Sequence, residues 1–88
     1  MHADPFRSQE IRRTLLEKLE IAEPHALPEP TLQVGLNSKL RPPIGQAEFD
    51  DALLFLQTRG FIGNLPDEID ENLSKWFITE AGKTLLRK

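Results

Sequence analysis

Few residues in this chain have the types needed for covalent or metal chemistry. There are two histidines, His2 and His25, and no cysteine. A structural zinc site needs four ligands and a catalytic one about three from the protein, so neither the number nor the spacing of these residues suits a metal. Ser8, Ser38 and Ser74 are the available hydroxyl nucleophiles besides threonine. None stands in a nucleophile-elbow setting, and the remaining base, His25, lies in a proline-rich stretch. The run Asp67-Glu68-Ile69-Asp70-Glu71 has the acidity of a calcium loop without its twelve-residue ligand pattern or central glycine. Gly60 and Gly63 follow a predicted helix instead of opening one, which excludes a phosphate-cradling loop. No catalytic, cofactor-binding or metal-binding residue is assigned, and neither an enzyme nor a small-molecule substrate is expected.

The chemistry that remains is binding, carried by charge and by surplus apolar residues. The 88 residues hold 11 Lys and Arg against 14 Asp and Glu, a net charge of −3. The imbalance is local. Between Ile44 and Leu73 lie Glu48, Asp50, Asp51, Asp67, Glu68, Asp70 and Glu71 against the single base Arg59, a net of −6, so the rest of the chain carries +3. Two candidate surfaces follow. The first joins Leu54, Phe55 and Trp76 to Asp50 and Asp51 as a patch for a protein partner, because successive residues of a helix diverge by about 100° and Leu54 and Phe55 cannot share one buried stripe. The second is a basic edge of Arg12, Arg13, Lys39 and Arg41 able to hold phosphate.

A chain this short buries about 60–65% of its unfolded surface and supports one core, read here as a single domain over residues 1–88. It has no apolar run of about 18 residues and no signal-like start, so a cytoplasmic protein that does not enter a membrane is expected. Asp4-Pro5, or Ser8 one turn later, opens a helix that Ile11, Leu15, Leu16, Leu19 and Ala22 stripe with apolar groups. Pro24, Pro28 and Pro30 predict a loop, and Thr31 caps a short second helix ending at Asn37. After the Pro42-Pro43 turn, Gln46 to Arg59 forms a third helix that buries Phe49, Ala52, Leu53 and Leu56 and closes at Gly60. Phe61–Leu65 and Lys75–Ile78 read as strands around a long polar tip. Thr79 caps a last helix, Glu80–Arg87, with Leu85 and Leu86 turned inward.

The run from Phe49 to Ile62, followed by Trp76 to Leu86 with its Thr79-Glu80-Ala81-Gly82 helix start, resembles the third helix, wing and closing helix of winged helix-turn-helix domains of the bacterial-regulator kind. The resemblance covers nearly the whole chain in element order. It implies an α+β, mostly α fold, with a three-helix core, a two-stranded antiparallel wing and a C-terminal helix. It also implies DNA contacts at the third helix and wing, where this chain is acidic and carboxylates would repel phosphate. The main expectation is therefore a non-enzymatic winged-helix module acting through protein–protein interaction or dimerisation, with nucleic acid disfavoured at the third helix and wing. The alternative is a DNA-binding transcriptional regulator that grips DNA through Arg12, Arg13, Lys39 and Arg41.

Overall fold

The computed structural model describes residues 5–66, 69 and 73–88. In chain order the elements are α1 (Pro5–Ala22), β1 (Leu27–Pro28), α2 (Glu29–Asn37), α3 (Gln46–Thr58), β2 (Ile62–Pro66), β3 (Ser74–Ile78) and α4 (Glu80–Leu86). This is a winged helix: three helices around one core, an antiparallel β2–β3 wing and a closing helix. Asp4 and His2 lie outside the described residues, as do Asp67, Glu68, Asp70, Glu71 and Asn72 of the expected acidic wing tip. Ser8 falls inside α1 and does not start it.

Each helix turns its periodic apolar positions to the same core. α1 buries Ile11, Leu15, Leu16 and Leu19, α2 buries Leu32 and Leu36, and α3 buries Phe49, Ala52, Leu53 and Leu56. Leu40 and Ile44 from the α2–α3 turn, and Ile62, Trp76 and Ile78 from the sheet, close it. The steps of three and four in α1 and α3 leave an apolar stripe, and burying that stripe stabilises helices that their own propensity would leave marginal.

Two local features differ from the sequence expectation. α2 starts at Glu29, two residues before Thr31, with Pro30 in its first turn. The prolines do not break structure there, because the first-turn N–H groups have no intrahelical partner and proline loses nothing by lacking one. The stretch before it is not all loop either. Leu27 and Pro28 form β1, which pairs antiparallel with β3 at Leu27↔Trp76 and Pro28↔Lys75. In the order β1-β3-β2 this strand is an edge, the position at which a sheet tolerates proline.

The wing is fixed to the core at both ends. Gly60 takes φ +79 after the Arg59 C-cap, a backbone conformation that favours glycine, and the chain turns directly into β2. Thr79 Oγ1 donates to the Gly60 carbonyl at 2.7 Å and accepts from Gly82 N–H at 3.2 Å, so one side chain both caps α4 and ties it to the end of α3. Gly82 is buried beside the start of β2 and the end of β3, and a Cβ there would run into the Phe61 carbonyl and Ile78. Lys83–Glu23 (2.9 Å) and Arg87–Glu20 (3.5 Å) then bind α4 to the C-terminal end of α1 and the turn after it.

Candidate nucleic-acid interface

The first turn of α3 is built by Glu48. Its Oε1 accepts from the N-cap Gly45 N–H at 3.1 Å, satisfying one of the helix's orphan donors. The same carboxylate receives Arg7 from α1, with Nε to Oε2 at 3.2 Å and Nη2 to Oε1 at 3.3 Å, while Nη2 also donates to the Pro43 carbonyl. The Arg7 hydrogen bonds, then the Gly45 amide, hold the Glu48 carboxyl below the usual glutamate range. Glu48 is thus a structural acid facing α1. Asp51 borders a small cleft with Ser8, Arg12 and Ala52, again on the α1 side.

Asp50 is therefore the α3 acid set apart from these α1 contacts, and it accepts from Gln46 Nε2 at 2.9 Å. Gln46, Asp50 and Leu54 are exposed, and Leu54 at 63% is the member of the Leu54–Phe55 pair that faces solvent. The turn leading into α3 carries two cations. Arg41 Nη1 donates to the Asn37 and Leu40 carbonyls at 2.7 and 3.0 Å, at the end of α2 where the helix dipole favours positive charge. Asn37 Oδ1 accepts from Ile44 N–H at 2.9 Å and holds the turn closed. Lys39 and Arg13 both reach Glu17, at 3.4 and 3.7 Å.

The structure divides both residue sets proposed from sequence. In the basic set, Arg13 and Lys39 meet at Glu17 and Arg41 sits in the same turn as Lys39, but Arg12 stacks on the Phe55 ring, 3.5 Å from its centroid, and does not join the edge. In the apolar set, Trp76 is no surface residue. It is 6% exposed, its indole N–H donates to Glu29 Oε1 at 3.1 Å, and it lies between β1 and β2. Phe55 is half-buried between Arg12 and Arg59, leaving Asp50 and Leu54 of the five as neighbours on the outer face of α3. Sequence reasoning passed over Arg7, whose partner is 41 residues away and leaves no local signal. Among the described residues there is no group of three or more His, Asp or Glu able to hold a metal, and no helix is long and apolar enough to cross a membrane.

The helix–strand–helix–helix–strand–strand–helix order, with α3 and the wing side by side, defines a winged helix-turn-helix domain. Comparison with solved structures gives the same fold. The PcaV transcriptional regulator of Streptomyces coelicolor superposes with a TM-score of 0.71 at 21% identity, over 86% of this chain and 48% of its own. A MarR family transcription regulator gives 0.71 at 15% identity over 93% and 52%. TA0346 of Thermoplasma acidophilum, whose assignment as a transcriptional regulator is itself provisional, gives 0.77 at 19% identity over 98% and 80%. The chain spans about half the length of the first two. No protein-family model and no curated protein matches the sequence.

Proposed function

We propose that this chain is the winged-helix module of a DNA-binding transcriptional regulator, with α3 toward the major groove and the Lys39–Arg41 turn on the phosphates beside it. The observation that carries this reading is the redistribution of charge at α3. Glu48 is committed to Arg7 and Asp51 lies on the α1 side, so the outer face offers an amide, Gln46, beside one carboxylate, Asp50. Glutamine reads adenine and aspartate accepts from the cytosine amino group, which are contacts to base edges and not to phosphate. Lys39 and Arg41 precede this pair in the turn leading into α3 and supply the positive charge that α3 lacks, with Arg13 behind them across Glu17. The likeness to solved transcriptional regulators also supports this reading over a module that avoids DNA, the main expectation from the summed charge.

Selection from a random-sequence duplex pool tests the assignment. The chain is expected to enrich a short site. Gln46→Ala and Asp50→Ala are expected to relax preference at one or two positions, costing about 1–3 kcal/mol of discrimination each, while Lys39→Ala weakens binding uniformly across sequences. A pool with no enriched site, or variants at Gln46 and Asp50 that leave its base preferences untouched, overturns the proposal.

A further inference from the structure

We infer that the groove between α1, α3 and α4 is the docking seat of an acidic amphipathic helix of a partner protein. α1 and α4 wall a groove of about 740 Å³; Leu16 and Leu56 lie buried beneath it, and Leu85, Leu86 and the edge of Phe55 are the accessible apolar part of its floor. It follows α1 from Pro5 to Leu16, which at 1.5 Å per residue is about 16 Å, or three helical turns. A trough of that length and apolarity matches the face of a helix that anchors through residues at i, i+3, i+4 and i+7.

The charge around it is one-sided. Arg12, Arg13 and Lys88 line the groove against a single acid, Glu10. Arg59 adds a further cation beside Phe55. The Arg12 and Arg59 guanidinium carbons stand 3.5 and 3.8 Å from the Phe55 ring centroid, and two planar cations cannot share one face at those distances, so they take opposite faces. Neither forms an ion pair with a described residue. Stacking uses the faces of the guanidinium groups and leaves their N–H edges, the part that grips a carboxylate bidentately. An apolar floor with such a rim fits a helix carrying leucine-type anchors and Asp or Glu along its flanks. A second copy of this chain fits less well, because two-fold pairing would set the same net-positive lining against itself, where an acidic helix balances it. The inference stands apart from the DNA-binding reading, since the proposed DNA contact uses Lys39 and Arg41 and neither lines the groove.

The test is a two-dimensional amide NMR titration of the full chain with a three-turn Leu/Glu peptide patterned for one apolar face, and with the same peptide carrying Lys at every Glu. The Glu peptide is expected to shift the amides of Leu16, Phe55, Leu85 and Leu86, and to bind about fivefold more tightly than the Lys peptide at low salt. Arg12→Glu with Arg59→Glu is expected to reverse that preference, with circular dichroism reporting the fold and Arg59→Glu alone as the milder variant. Lys39→Ala is expected to leave it unchanged. Equal binding of both peptides, absence of shifts in the groove, a preference that survives the charge reversals, displacement of the peptide by duplex DNA, or a self-associated chain whose groove is already filled would each overturn the inference.

Discussion

Arg7 and Glu48 join the first turns of α1 and α3, and their link sets a sign for the pH dependence of stability. Glu48 titrates lower in the folded chain than in the unfolded one, chiefly through its hydrogen bonds from Arg7. The stability it adds is therefore complete above the ordinary glutamate pKa of about 4.3 and is lost as pH falls through the depressed folded value. Glu48→Gln is expected to cost about 1 kcal/mol at pH 7, allowing for solvent screening of an exposed carboxylate, or a few degrees in Tm. The melts of the two proteins should converge as pH falls below the ordinary glutamate range; a gap that does not narrow on acidification would remove Glu48 ionisation as its cause. Gly82 tests close packing in the same way. With a Cβ aimed at the Phe61 carbonyl, Gly82→Ala is expected to lose about 1–3 kcal/mol in denaturant unfolding.

The elements that were legible in sequence are those with a long or chemically distinct signal. α3 repeats Phe49, Ala52, Leu53 and Leu56 over two turns, and the structure buries all four. Thr79 announces α4 because its hydroxyl has a defined task at the helix start, and Gly60 marks the stop. β1 was not legible, because a two-residue strand has no periodicity and its partner, β3, lies nearly fifty residues on. α2 was trimmed because three prolines read as interruption, although a first-turn proline fits a helix. The register of α3 has a sharp consequence: Leu53→Ala should cost about 2–5 kcal/mol, and its neighbour Leu54→Ala less than about 0.5 kcal/mol, when both are unfolded in urea. Trp76→Phe should lose about 1–2 kcal/mol, since it removes the indole donor to Glu29 as well as buried volume. Equal effects at Leu53 and Leu54 would mean that α3 is rotated from its described position.

At the scale of the whole molecule, the net charge of −3 says less than where the charges are committed. Summed along the sequence, the third helix argues against DNA; in three dimensions Glu48 belongs to Arg7, Asp51 faces the α1 side, and Arg13 and Lys39 gather at Glu17. These pairings join residues far apart in the chain, so the division of the basic residues between the Lys39–Arg41 edge and the Phe55 stack could not be read from spacing. The candidate site was thus legible in its residue types and only partly in their grouping. The most direct measurement is fluorescence anisotropy of a labelled duplex titrated with the chain across a series of salt concentrations. With Lys39 and Arg41 on phosphates, the slope of log K against log salt should be about −2, falling toward zero in Lys39→Ala with Arg41→Ala. No binding at low salt, or a slope that the double variant leaves unchanged, would contradict the assignment of this chain as a DNA-binding module.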